Sequence, residues 1–474
     1  MMSDSEIDLL AITRGSITAP AGCGKTHLIA QALRRHDNVK PVLVLTHTNA
    51  GVAALRVRLD KARVPPGRYR LSTLDGWALR LLSAFPKRSG IDPTLLALAK
   101  PKTDYPAIRK AAAILMRDGH INDILKSSFA RLIIDEYQDC GTLQHAMAAF
   151  TSLVLPTVVL GDPMQAIFGW AGDVPDWEGQ VCDRFPTAGE LTTPWRWENA
   201  GTKSLGLWLL DVRKRLKNGE PVDLKCAPPE VTWVSLDGKA DRERQLRAGM
   251  TKAVDGGEVL IIGDARSPPS QRRYASQLPG AVTVESVELG DLVEFAGGLD
   301  FAGRDALAKI ATFAASVMTN VGSADLIKRV EILERGRGRK DPSDVERAAL
   351  RFQQDRSPAA VVDLLVEISK EPGVRTHRPT VLRACIRALQ SCEGSDLRAS
   401  FYQGVIQARE QNRLIGRPLP KRAVGSTLLL KGLEAEVAVL LDTTGLDARN
   451  LYVAMTRGSK RLIICSSDNM LRGG

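Results

Sequence analysis

With 474 residues, 44% hydrophobic and 25% charged, the chain has room for several domains with cores of full size, and no run approaches the ~20 consecutive apolar residues of a membrane span. A small module and a helical membrane protein are thereby excluded. The formal net charge of +11 favours polyanionic partners such as nucleic acid without requiring them.

The seven cysteines include no C-x-x-C pair and the six histidines show no ligand spacing, so neither a disulfide framework nor a zinc site is expected. The opening MMSDSEIDLL carries Asp4, Glu6 and Asp8 where an export signal would carry a basic patch and an apolar core. A cytoplasmic chain with no membrane partner is the expectation.

In chain order, SITAP, VLVLT, RLIIDE and PTVVLGD read as strands separated by helical segments such as HLIAQALRR and GVAALRVRLDKAR. That alternation predicts a parallel sheet with helices on both faces, and places the chemistry in the loops at the strand ends. Residues 72–126 turn mostly helical, with AIRKAAAILMRDG ending at Gly119, and read as an inserted subdomain. EVLIIG, EVAVLLD and RLIIC predict a second α/β unit assembled from distant pieces. Between them, roughly 301–404, lie amphipathic helices, including SDVERAALRFQQD, whose Ser343 and Glu346 have capping-box spacing. The basic run RGRGRK (335–340) is either a solvated loop or a phosphate contact.

APAGCGKTHLIAQAL follows an apolar strand and opens a helix, the context a phosphate-binding loop requires. Backbone N–H groups of Ala21, Gly22, Cys23, Gly24 and Lys25 can wrap phosphates at the positive helix end. Lys25 would reach the β and γ phosphates and Thr26 would bind Mg²⁺. The first position of the usual G-x-x-x-x-G-K-[ST] pattern is Ala19. RLIIDEYQDC ends a strand in two adjacent carboxylates: Asp135 suits Mg²⁺, and Glu136 suits positioning and deprotonating a water. The pair favours hydrolysis of ATP over simple nucleotide binding. In GDPMQAIFGWAG, Gln165 could reach the γ phosphate or the attacking water. Phe168 and Trp170 lie beyond it, where stacking on single-stranded bases would be worth about 1 to 3 kcal/mol per base. For a single Trp, core packing is the competing reading.

Taken in order, APAGCGKT, VLVLTHTNAGVAALRVRL, LSTLDGWALRLL, LIIDEYQDC, VVLGDPMQAIFGWAG, LTTPWRW, LLLKGLEAEVAVLLD and NLYVAMTRGSKRLIIC resemble the UvrD, Rep and PcrA group of superfamily 1 DNA helicases. The resemblance implies an α/β chain of two RecA-like P-loop motor domains, parallel sheets flanked by helices, with helical insertions. The expected bounds are 1–71 with 127–200 for the first motor domain and 72–126 for its insertion. The second motor domain is expected at 201–300 with 405–474, and a reduced insertion at 301–404. It also implies ATP hydrolysis with Mg²⁺ in a cleft between the motor domains and 3′ to 5′ movement on single-stranded DNA.

By position, Lys25, Thr26, Asp135, Glu136 and Gln165 keep the roles above. Trp195 stands where the family has a Tyr stacking on adenine, Arg196 matches an arginine that contacts the γ phosphate, and Arg457 matches the arginine finger of the second motor domain. Glu434 matches a residue near the ribose. Thr46, His47, Asn49 and Thr73 fall in motifs that hold the DNA strand, as do Phe168 and Trp170.

His47 replaces a customary Phe, Asp75 a customary His, Leu428 a frequent His and Ala171 a frequent Arg, and the N-terminal glutamine motif that reads adenine is not recognisable. The compact form also resembles the UvrD-like helicase subunit of Gabija anti-phage defence systems, which implies an OLD-family partner nuclease. Two readings follow. One is an ATP-dependent single-stranded-DNA translocase and helicase that opens duplex junctions. The alternative is a nucleotide- and DNA-gated interaction subunit that controls a partner nuclease with little unwinding of its own.

Overall fold

The runs VLVLT, RLII and TVVLG are buried along their whole length, as strands covered on both faces must be. In the computed structural model, which describes residues 7–168, 174–254, 256–414 and 420–474, they lie at the centre of a parallel sheet. The strands of that sheet are β1 (Arg14–Thr18), β2 (Val42–Thr46), β3 (Tyr69–Thr73), β4 (Arg131–Ile134), β5 (Thr157–Gly161) and β6 (Thr187–Glu190). Their spatial order is β3-β2-β4-β5-β1-β6, with every neighbouring pair parallel. The chain continues through β7 (Val222–Asp223), β8 (Val231–Ser235), β9 (Val259–Ile262), β10 (Val282–Thr283), β11 (Arg422–Gly425), β12 (Ala435–Leu440), β13 (Gly458–Ser466) and β14 (Met470–Leu471).

Two compact units result: residues 1–235 with 443–474, and residues 236–442. In the first, the alternation of strand side chains sorts the core onto two faces. Val42, Val44, Ile133, Val158 and Leu160 pack with residues of the helices Lys25–Arg35 and Asn49–Lys61. Leu43, Leu45, Leu132, Ile134 and Val159 pack on the other face with the helical segment that contributes Trp77, Ile108 and Met116. That segment holds the helices Leu74–Ala84, Pro101–Arg117 and Asn122–Ser128, so the helix expected from residue 107 begins six residues earlier and carries Pro106 inside it. In the same unit β8 pairs in parallel with β13, and β14 pairs antiparallel with β7.

The second unit has a parallel sheet in which β10, β11, β9 and β12 are successive neighbours. Helices from Gly290–Gly298 to Leu397–Leu414 build an all-helical core around Ile310, Phe352, Leu364 and Phe401. Its helix Asp344–Asp355 starts with the expected box: Ser343 Oγ accepts from the Glu346 N–H at 3.2 Å, and the Ser343 N–H donates to Glu346 Oε2 at 2.9 Å. The RGRGRK run connects this helix to Ser323–Glu334 and is exposed throughout. Two parallel sheets flanked by helices, with helical insertions, is the fold class the sequence predicts. No helix among the described residues is long and apolar enough to cross a membrane.

Candidate nucleotide and nucleic-acid site

Parallel strands all end on one edge of their sheet, so the loops after β1, β2, β3, β4 and β5 converge there. After β1, the loop turns through Gly22 and Gly24, at φ +72 and +86, a conformation L side chains rarely adopt. Space requires glycine there as well. A Cβ on Gly22 would fall 2.5 Å from Trp197 Cζ3, and one on Gly24 would fall 2.9 Å from Trp195 Cδ1. Gly24 caps the helix Lys25–Arg35 without a side chain, and the first ladder bond of that helix runs from the Leu28 N–H to the Gly24 carbonyl at 2.9 Å. The N–H groups of the first turn therefore point out of the helix end, the arrangement that cradles an anion.

β4 lies two strands from β1 and delivers the carboxylates. Lys25 Nζ sits 2.9 Å from Asp135 Oδ1 and 2.5 Å from Glu136 Oε1. Burial alone would lower the pKa of the Lys25 ammonium, but the fields of Asp135 and Glu136 outweigh it and hold the group above its ordinary value. Burial pushes the Asp135 carboxyl up, with Lys25 pulling against it. Glu136 adopts φ 55, a left-handed conformation that costs a non-glycine residue about 1 to 2 kcal/mol and is characteristic of functional turns. Thr26 Oγ1 accepts from an Arg58 guanidinium N–H at 3.0 Å, and its second lone pair is available to a metal.

These residues fit a magnesium nucleotide. The glycine cradle accepts phosphates at the helix end, Lys25 supplies a cation at the same point, and Thr26 and Asp135 could hold Mg²⁺. When bound, the nucleotide would bring its phosphoanhydride bond to Glu136.

β5 ends at Gly161, and Asp162, fully buried, becomes a hub. Its carboxylate accepts from the Met164 N–H at 3.1 Å, from Gln165 Nε2 at 3.1 Å and from Arg213 Nε at 3.0 Å. Arg213 reaches on to Glu190 Oε1 at 3.1 Å. The helix Trp195–Asn199 backs the P-loop: the Arg196 N–H donates to the Gly22 carbonyl at 3.0 Å, and the Arg196 guanidinium donates to the Thr456 carbonyl at 2.7 Å. Trp197, buried, donates from Nε1 to the Gly458 carbonyl at 2.9 Å. Trp195 is 46% exposed beside Gly24.

The Ala21 N–H donates to the Tyr452 hydroxyl at 3.2 Å. Burial raises the Tyr452 phenol well above its ordinary pKa, so it stays protonated. Cys23 is buried within the same loop. Arg457 is 3% exposed and donates to the Val453 carbonyl at 2.8 Å and to Thr456 Oγ1 at 3.0 Å. It belongs to the same unit as the P-loop, whereas Glu434, exposed, belongs to the other.

On the nucleic-acid side, Thr46 and Thr73 are register partners at the ends of β2 and β3. Thr73 caps the helix Leu74–Ala84 by accepting from the Gly76 N–H at 2.9 Å, and Asn49 opens the helix Asn49–Lys61. The His47 and Phe168 rings lie 5.6 Å apart, centroid to centroid. Five of the six nucleic-acid candidates thus gather near one sheet edge, and Trp170, with Ala171, lies outside the described residues. Asp75, found where the family has His, is taken up by its own unit. Arg109 Nε and Gln144 Nε2 each donate to its Oδ1 at 2.8 Å, and Arg109 Nη2 donates to its Oδ2 at 2.6 Å.

Residues 102–177, which contain Asp135, Glu136 and Gln165, match the family described as the UvrD/REP helicase N-terminal domain. No curated protein matches the chain in sequence. Among solved structures, the Pif1 helicase from Candida albicans is similar at 11% identity and TM-score 0.41, over 97% of this chain and 93% of that one. An arterivirus nonstructural protein 10, a helicase solved with DNA, is similar at 12% identity and TM-score 0.27. That similarity covers 53% of this chain and 48% of the viral one, so the chain spans about half the length of the arterivirus protein. The UvrD/REP helicase N-terminal match thus lies over the strand end that carries Asp135 and Glu136, which Lys25 of the glycine loop faces.

Proposed function

We propose that the chain is an ATP-dependent translocase and helicase on single-stranded DNA, moving 3′ to 5′ and opening duplex junctions. The observation that carries this reading is the placement of Lys25 Nζ within 2.9 Å of Asp135 and 2.5 Å of Glu136 at the mouth of the glycine loop. Lys25 and the N–H groups of Gly22, Gly24 and Lys25 bind and neutralise the phosphates, while those of Ala21 and Cys23 are taken by Tyr452 and Pro20; Thr26 and Asp135 hold Mg²⁺, and Glu136 takes the proton of the attacking water. Gln165 orients that water, and Arg196 and Arg457 neutralise the charge that develops on the γ phosphate. Trp195 stacks on the base. Thr46, His47, Asn49, Thr73, Phe168 and Trp170 hold the strand, and the place of Thr46, His47, Thr73 and Phe168 at or after the ends of β2, β3 and β5 links strand binding to the phosphate site.

The test is steady-state ATP hydrolysis with no nucleic acid, with single-stranded DNA, with single-stranded RNA and with blunt duplex. Strong stimulation by single-stranded DNA is expected, followed by unwinding of a duplex with a 3′ tail. Turnover indifferent to every nucleic acid would overturn the reading.

A second reading, the nucleotide- and DNA-gated subunit of a defence complex with an OLD-family nuclease, draws support from Asp75. The side chain that replaces a customary His of the family is held by Arg109 and Gln144. Absence of unwinding, together with ATP-sensitive capture of such a nuclease encoded beside this chain, would favour it.

A further inference from the structure

Gln138 lies between the two halves of the site and belongs to neither. It is 3% exposed, two residues beyond the strained Glu136, and both ends of its amide are used. Its Oε1 accepts from the Asp162 backbone N–H at 3.1 Å, and its Nε2 donates to Glu136 Oε2 at 2.5 Å. The first bond dictates the second. A backbone N–H can only donate, so the amide oxygen must face Asp162 and the amide nitrogen must face the carboxylate.

Glu136 is consequently held from two sides, Oε1 by Lys25 and Oε2 by Gln138. The anchor at the far end is the turn that carries Gln165 and leads to Phe168. Gly161 gives independent support. A Cβ there would fall 2.6 Å from Gln138 Oε1 and 2.9 Å from the Trp177 ring, so the end of β5 is kept bare where Gln138 passes.

We propose that Gln138 is a positioning residue that fixes the orientation of Glu136 and ties it to the β5 strand end, so that the base and the turn toward the nucleic acid move as one body. This rests on the reading of Glu136 as the base for ATP hydrolysis. A base displaced by about 1 Å loses on the order of 100-fold in rate without any loss of ground-state binding.

The experiment compares wild type, Gln138→Met and Gln138→Glu in ATP turnover, with and without single-stranded DNA, and in DNA binding. Met keeps the volume and removes both hydrogen bonds. Glu keeps the acceptor for the Asp162 N–H and replaces the donor by a second carboxylate facing Glu136. For both variants kcat is expected to fall about 10- to 100-fold, while KM for ATP and Kd for single-stranded DNA stay within about threefold. A merely structural role would move KM and Kd as well. Unchanged kcat in either variant overturns the proposal, as does a rise in KM that accounts for the whole loss. Wild-type turnover that no nucleic acid stimulates would sink the proposed function alone, because the kcat comparison still reads Gln138. A wild type with no ATP turnover would sink both.

Discussion

Lys25 Nζ lies 2.9 Å from Asp135 Oδ1, with both side chains at most 13% exposed. The lysine expected to hold phosphates is therefore also the counter-ion of the carboxylate expected to hold Mg²⁺. Lys25→Met should abolish ATP turnover. It should also destabilise the fold by about 2 kcal/mol, because a mostly buried carboxylate loses its partner. Adding Asp135→Asn should return at least half of that stability and none of the activity. Urea denaturation of the single and double variants, beside single-stranded-DNA binding that stays intact, is the check; a single variant as stable as wild type would contradict the counter-ion role.

Trp195 packs against the bare Cα of Gly24 and leaves nearly half its surface open. Trp195→Ala should raise KM for ATP about tenfold, the equivalent of one stacked ring, and Trp195→Tyr should stay within about threefold of wild type. Binding of ATP and of inorganic triphosphate, measured side by side, separates stacking from phosphate contacts. Equal losses for both ligands would mean that the indole only shapes the loop.

Arg213 Nη2 lies 2.9 Å from Asp162 Oδ1, a carboxylate with no exposure to water. Arg213→Met should cost about 3 kcal/mol in denaturant unfolding, and Arg213→Met with Asp162→Asn should recover much of it. Additive losses in that cycle would show that the two residues do not act as a pair.

In the second unit, burial pushes the His377 imidazole down to about 4, and Arg378, Arg375 and Arg272 add to the effect. Arg378 is itself paired with Glu285 and Asp291. An imidazole held below its unfolded value of about 6.5 binds fewer protons folded than unfolded, so stability is complete above that pH and is lost as pH falls toward the folded value. Between about pH 7 and about pH 5 the wild type should lose about 2 kcal/mol that His377→Gln does not lose. Urea midpoints of the two proteins at both pH values test this, and parallel losses would rule it out.

The strands missed in the sequence share a physical cause. TAGE in β6 and RAVG in β11 contain almost no apolar run, and VTWVS in β8 is only half-buried, so hydrophobic periodicity carries little signal for them. Each is a strand because of the neighbour it pairs with: Ile17 for Gly189, Leu260 for Ala423, Ile464 for Trp233. The central strands needed no such help, since VLVLT and TVVLG exclude water by themselves.

The sequence by itself determined the phosphate loop, the paired carboxylates after β4 and the GDPMQ turn after β5. Each is a contiguous string whose chemistry depends on local backbone geometry and on adjacent side chains. Only the tertiary structure decided what surrounds them. Tyr452 bonds to Ala21 across 431 positions, Arg213 neutralises Asp162 across 51, and Gln138 bonds to Asp162 across 24. Hydrogen bonds and ion pairs of that separation exist only once parallel strands have carried their ends to one edge. A lone Tyr, Arg or Gln in the sequence holds no trace of the partner that folding supplies.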